Sequence, residues 1–251
     1  MAVWLRLAHS RVKDRAFEFS QGIAKVPPDM TDSIAIRLAR LDSCAVSDAL
    51  DKLGLPPAIT GLPPRGAIRK IAGKVHTVKL VAKDAAPPVA GAPRHLGTAA
   101  IEACQPGEII VVEQRAGIDA GSWGGILSLG AKVKGVAGVI ADGPLRDVDE
   151  AREFDFPVYS RSVTARTARN RVAEIGTDVP VQIGEITVNP GDYAIADSTG
   201  VCFLPAAQAA EIVAAAEDIA MREAAMGKAL LTGQRITAVM GANYEKMLER
   251  K

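Results

Sequence analysis

Arg146 and Asp147 are neighbours, and upstream of them runs Ala120-Gly121-Ser122-Trp123-Gly124-Gly125-Ile126-Leu127-Ser128. A guanidinium can clamp a carboxylate through two parallel hydrogen bonds, while an adjacent Asp offers a hard oxygen ligand for Mg²⁺. The glycines let backbone amides face outward where a helix is expected to open, near Gly125, and such a helix start favours an anion. Each signal alone has an ordinary explanation. The glycine run could be a tight packing turn, and Arg-Asp a solvated helix start. Joined in one loop–helix–strand–loop unit, they offer anion donors, a cationic clamp and a metal ligand. The run is not Gly-x-Gly-x-x-Gly, and no Gly-Lys-Ser/Thr follows it, which excludes a P-loop and argues against a dinucleotide fold.

The elements that must hold these residues can be traced along the chain. Thr31 or Asp32 can cap a helix reaching Leu41, and Ser43 can begin a second one that Gly54, Pro56 and Pro57 terminate after Leu53. Ile71–Val81 alternates as a strand, with Val75, Thr77 and Lys79 on one face and His76, Val78 and Leu80 on the other. Ala85–Pro93 reads as a loop, Leu96–Cys104 as helical. Pro106-Gly107-Glu108 and Pro190-Gly191-Asp192 are matching turns ahead of strands at Ile109–Val112 and Tyr193–Ala196. Gly135–Gly143 reads as a buried strand that delivers Arg146-Asp147 to a helix opening at Asp149 and Glu150. Phe156–Tyr159 is a further short strand, and Val181–Val188 a pair. A long Ala-rich helix is expected from Pro205, at a first helical position, to about Leu231, with Gly233 beyond it. This grammar predicts a mixed α/β sandwich or barrel, not a doubly wound sheet.

Composition narrows the function classes. The 251 residues carry 30 Lys and Arg against 29 Asp and Glu, a net charge of +1, so no nucleic-acid partner is advertised. Cys44, Cys104 and Cys202 are widely spaced and odd in number, which excludes a zinc ribbon or disulfide scaffold and suits a reducing compartment. Each reads as a small buried hydrophobe. His9, His76 and His95 form no ligand cluster in sequence. No apolar run reaches the roughly 18 residues needed to span a membrane, and Met1–Leu7 lacks the core of a signal peptide. The expectation is a soluble cytoplasmic protein with neither membrane nor nucleic-acid partners.

Trp123-Gly124-Gly125, Gly135-Val136-Ala137-Gly138-Val139-Ile140 and Asp142-Gly143-Pro144-Leu145-Arg146-Asp147 together resemble the class II 4-hydroxy-4-methyl-2-oxoglutarate aldolases. The same RraA-like family contains the regulator of ribonuclease E activity A, long mislabelled as a menaquinone methyltransferase. Leu41–Leu50 and Ile71–Val78 are similar to its opening helix and first strand, and the likeness spans roughly Ile34 to Gly233. It implies an N-terminal extension at 1–30, a family domain at 31–235 and a tail at 236–251. It also implies a swivelling β/β/α core with N-terminal helices and a long C-terminal helix, assembled as a homotrimer or homohexamer.

By the same resemblance, Asp147 would bind Mg²⁺, Mn²⁺ or another divalent cation, partly through waters. Arg146 would hold the oxo and carboxylate oxygens of a small 2-oxo acid, and the amides of Gly124, Gly125, Ile126 and Leu127 its carboxylate. Glu223 matches a Glu that reaches a neighbouring subunit's site, and reads equally as an exposed helix charge. The implied reactions are carbon–carbon cleavage releasing pyruvate and decarboxylation of oxaloacetate. The chain departs from the family at Gly125, where active aldolases carry an acidic residue, and near Arg94, where many members carry Asn. His95 beside Arg94 could supply the missing base; a surface or capping imidazole is the plainer reading. Three functions follow: a metal-dependent lyase, a non-catalytic oligomeric regulator that binds a protein partner, and a diverged enolate enzyme or decarboxylase that uses His95.

Overall fold

The computed structural model describes residues 32–87 and 95–241. The N-terminal extension, Thr31, Arg94, most of the Ala- and Pro-rich loop before it and the end of the tail lie outside the described residues.

Two short helices come first. In α1 (Ser33–Leu38) the cap is Asp32, whose Oδ1 accepts the N–H groups of Ile34 and Ala35 at 2.9 and 3.2 Å. It stops before Leu41 because the N–H groups of Arg40 and Leu41 turn back three residues, to Arg37 and Leu38. α2 runs Ser43–Leu53, starting at Ser43 as expected, with Asp42 as its cap, and Gly54 closes it in the left-handed conformation at φ 70°.

A parallel run follows: β1 (Ile71–Ala82), α3 (Thr98–Ala103), β2 (Ile109–Gln114), α4 (Gly125–Lys134), β3 (Gly138–Leu145), α5 (Val148–Glu153) and β4 (Val158–Val163). β1, β2, β3 and β4 pair in parallel in that order. After them come β5 (Val172–Thr177), the hairpin β6 (Val181–Ile183) and β7 (Ile186–Val188), then β8 (Tyr193–Ala196) and β9 (Val201–Leu204). The chain ends in α6 (Ala209–Leu231) and α7 (Ile236–Val239). β1 is long enough to serve two sheets, pairing β8 through Ile71–Lys74 and β5 through Val78–Ala82, both antiparallel.

Alternation along the strands divides the apolar residues between faces. Val78, Leu80, Ile110, Val112, Val139 and Val158 pack under α3, α4 and α5. Val75, Ile109, Val111 and Ile140 face the opposite way, against β6, β7 and β9. A third cluster seats α1, α2 and α6 on β8 and β9 through Leu38, Leu50, Ile195, Leu204 and Ile212. The layers are thus helix on sheet on sheet, as the β/β/α expectation requires, and the long C-terminal helix is present.

Pro205 is not at the first helical position. The N–H of Ala206 is donated to Asp192 Oδ1 at 2.9 Å, which anchors the chain to the Pro-Gly-Asp turn and delays α6 until Ala209. The strand expected at Phe156–Tyr159 begins at Val158, since Phe156 still donates its N–H to Ala151 O at the end of α5.

Candidate functional site

The glycine run lies against the end of β3. Ser122 N–H donates to Pro144 O at 2.7 Å, Arg146 N–H to Trp123 O at 2.9 Å, and Trp123 bridges Leu145 in parallel register. Buried Trp123 anchors the segment further, its Nε1–H donating to Ser128 Oγ at 3.1 Å. A Cβ on Gly121 would lie 2.5 Å from Arg146 Cγ, and one on Gly124 would lie 3.0 Å from Asp147 Oδ2. Gly121 therefore admits the close approach of the Arg146 stem, and Gly124 leaves the Asp147 carboxylate its place. The packing explanation and the functional one are the same contact.

That contact fixes the pair. The stem of Arg146 lies over Gly121, and its Nε is buried with no hydrogen-bond partner. A buried guanidinium donor left unanswered is uncommon and costly. Asp147 adopts left-handed φ 55°, ψ 45°, a conformation that Asp tolerates better than most residues. Its Oδ2 accepts the Gly125 N–H at 3.0 Å, and its Oδ1 stands 3.9 Å from Arg146 Nη2. Neither side chain is consumed in a tight ion pair.

Of the amides expected to hold an anion, Gly125 N–H is thus taken by Asp147. The first intrahelical donor of α4 is Ser128, bonded to Gly124 O at 3.0 Å. As the second and third residues of the helix, Ile126 and Leu127 keep N–H groups with no intrahelical acceptor. Gly121 donates its N–H to Arg166 O at 3.0 Å, and a separate open depression of about 470 Å³ is lined by Thr167, Arg169, Asn170 and Arg171.

His95 lies two residues before Gly97, which packs against the Trp123 ring of the glycine run, and Glu223 lies on α6. The exposed His95 ring faces Leu96 O at 3.4 Å, and its carbonyl accepts the Thr98 hydroxyl. Glu223 sits on α6, where burial and then Asp42 and Asp48 of the α2 region raise its pKa. Glu150 went unnoticed as a site residue in the sequence. Its spacing of three from Asp147 was the available signal. From α5 its carboxylate reaches the α4 start, where a Cβ on Gly125 would meet Oε2.

A second group with ligand chemistry lies at the opposite strand ends. Donor atoms of His76, Cys104 and Glu108 come within 4.8 Å of one another. His76 Nε2 contacts Glu108 Oε2 at 2.9 Å, and Nδ1 contacts Asp178 Oδ1 at 2.9 Å. Burial pushes the Cys104 thiol up to about 12, with Glu108 and Asp178 adding to it. Cys202 is likewise raised to about 12 by burial, while Cys44, expected to be buried, is exposed. No thiolate nucleophile results.

Comparison with known proteins now decides the lineage. A family model described as RraA-like, Aldolase/RraA, matches residues 43–203. The chain belongs to the RraA-like family. Legionella pneumophila DlpA is 26% identical over 211 residues, covering 84% of this chain but only 34% of DlpA. This RraA-like chain therefore spans about a third of that relative's length. A candidate 4-hydroxy-4-methyl-2-oxoglutarate aldolase from Halalkalibacterium halodurans is 27% identical over 172 residues, covering 67% of this chain and 74% of its own. Among solved structures, Streptomyces coelicolor RraAS2, described as an unusual member of the RNase ES inhibitor RraA family, superposes with TM-score 0.65 at 28% identity. That match covers 78% of this chain and 97% of RraAS2.

Proposed function

We propose that this RraA-like chain is a divalent-metal-dependent carbon–carbon lyase acting on a small 2-oxo or hydroxy diacid through a pyruvate enolate. One observation supports the reading: the glycine run pairs with the end of β3, which sets the Arg146 stem against Gly121 and the Asp147 carboxylate against the start of α4. The donor set fits a hard cation. Asp147 is an oxygen ligand with a side chain 36% exposed, leaving room for the waters that Mg²⁺ retains. Bound there, the ion would polarise the substrate's 2-oxo group.

The chain's own groups do the rest. Arg146, with its unpaired Nε, pairs with the 2-oxo acid oxygens and faces the charge that develops on the enolate. The free N–H groups of Ile126 and Leu127 orient a carboxylate at the helix start. Asp147 would hold the cation, and its bond to Gly125 N–H fixes the carboxylate's direction.

A homo-oligomer, trimer or hexamer, is part of this proposal, and Glu223 would serve as a metal ligand only from a second subunit. Support comes from Ile126, Leu129 and Val133, which form an exposed apolar stripe on α4, with Ile126 72% and Val133 80% accessible. The same stripe favours the rival, a regulator that binds a protein partner. Pyruvate release from oxaloacetate and from 4-hydroxy-4-methyl-2-oxoglutarate, with Mg²⁺ and with chelator, separates the two. Magnesium-dependent release is the expected result. Release no faster than the spontaneous rate on either substrate would reject the lyase.

A further inference from the structure

The first turn of α4 presents a glycine against which the tip of the Glu150 side chain lies. A Cβ on Gly125 would lie 1.9 Å from Glu150 Oε2, 2.8 Å from Glu150 Cδ and 3.1 Å from Asp147 Cβ. The Glu150 carboxylate thus fills the volume that the side chain of residue 125 would occupy, beside the metal-holding Asp and the anion-binding helix start. It comes from a different helix, α5, packed against α4 across the end of β3.

Resting on the lyase reading above, we propose that Glu150 is the catalytic carboxylate that moves the proton in aldol cleavage. The neighbouring carboxylates on the chain, Asp147 and Asp149, are already engaged. Asp147 accepts the Gly125 N–H through Oδ2 and faces Arg146 through Oδ1. Asp149 points outward, pairing with Arg152 at 3.1 Å with its side chain 90% exposed. Glu150 has no hydrogen-bond or ion-pair partner among the described residues and is open to solvent, so it is available to a substrate hydroxyl or to a water held against one.

The step balances without any further reactant. Glu150 takes the proton of the C4 hydroxyl, and the C3–C4 bond breaks as C4 becomes a carbonyl. The bonding pair becomes the C2–C3 double bond of pyruvate enolate. The proton then passes from Glu150 to C3, giving the methyl group of pyruvate and restoring the carboxylate. Decarboxylation of oxaloacetate makes a smaller demand, because C3–C4 cleavage releases carbon dioxide with no proton to remove.

This difference supplies the test. Three rates are compared in the full-length Mg²⁺-loaded protein: oxaloacetate decarboxylation, aldol cleavage, and exchange of the pyruvate methyl protons for deuterium followed by NMR. Glu150→Gln is expected to lower cleavage and exchange by ~10²-fold or more, the usual yield of a positioned acid–base group. The ratio of exchange to decarboxylation should fall by at least about tenfold on the same reasoning. Moving the carboxylate back to α4 with Gly125→Asp/Glu150→Ala should restore exchange well above Glu150→Ala alone.

Equal loss of all three rates, unimpaired exchange in Glu150→Gln, or a swap no better than Glu150→Ala would each overturn the assignment. So would a collapse of Mn²⁺ affinity in Glu150→Gln, read by electron paramagnetic resonance, because it would make this carboxylate a metal ligand. A wild-type protein that neither decarboxylates nor exchanges would instead reject the lyase reading itself.

Discussion

The two ends of the parallel sheet carry nearly the same inventory, a cationic or imidazole group among carboxylates, and arrange it in opposite ways. At the β1–β2 start, His76 is held on both nitrogens, by Glu108 and Asp178, each at 2.9 Å. Glu108 Oε2 also accepts the Gln105 N–H at 2.7 Å. At the β3 end, Arg146 keeps a buried Nε without a partner, and Glu150 keeps its whole carboxylate free of protein partners among the described residues. A network whose members answer one another holds a corner of the fold together. Unanswered polar groups beside a helix start cost stability, and a ligand can repay it. Satisfaction, more than residue type, distinguishes the His76 end from the end proposed to be reactive.

The comparison is broken most severely by exchanging which property each end loses. Asp147→Ala should remove metal-dependent pyruvate release, and Arg146→Ala should cost ~10²–10³ in kcat, as loss of a preorganised charge-stabilising donor does. A coupled assay of pyruvate formation reads both, and Asp147→Ala with an undiminished Mg²⁺ dependence would erase the distinction. His76→Ala should do the reverse. It strands Glu108 and Asp178 and should lower unfolding free energy by about 1–3 kcal/mol, with kcat within about twofold of wild type. Urea titration beside the same assay checks it; a stable variant with lost activity would move the reactive centre to the wrong end.

The smallest effect sharpens the comparison by calibrating an ordinary pair. The Arg37 guanidinium donates to Glu217 at 2.6 and 2.9 Å and holds its carboxyl below the usual carboxylate range, against a smaller opposing effect of burial. A depressed carboxyl contributes stability that is complete above its unfolded value, about 4.3, and is lost as pH falls through the lower folded value. Both side chains are about one-third exposed, at 36% and 34%, so Glu217→Gln should flatten the acid limb of the stability profile by less than about 1 kcal/mol. A flattening as large as the His76→Ala loss would mean that the His76 network is no more than a surface pair.

Much of this architecture was legible along the chain, for local reasons. The Pro-Gly-acidic turns announced β2 and β8, and both glycines take φ 88°. Alternation in β1 sorted Val75 from Val78 and Leu80 into different cores. β5 and β9 escaped notice because their pairing is set elsewhere: β5 adds to the second half of β1, and β9 is positioned by β8. At the site, Arg146, Asp147 and the glycine run could be read together because they belong to one loop–helix–strand–loop unit. Glu150 could not be matched to Gly125, since their contact depends on how α4 and α5 pack, and no spacing rule connects residues on separate helices.

The central claim is that Arg146, Asp147 and the α4 start converge on one anionic guest. Oxalate, which mimics the planar enolate of pyruvate, can be titrated with Mg²⁺ into the ¹⁵N-labelled protein while amide shifts are followed by NMR. The account predicts saturable shifts at Ile126, Leu127 and residues 146–150, absent in Arg146→Ala, with the His76, Glu108 and Asp178 amides unmoved. Shifts centred on His76, or none at the α4 start, would contradict it.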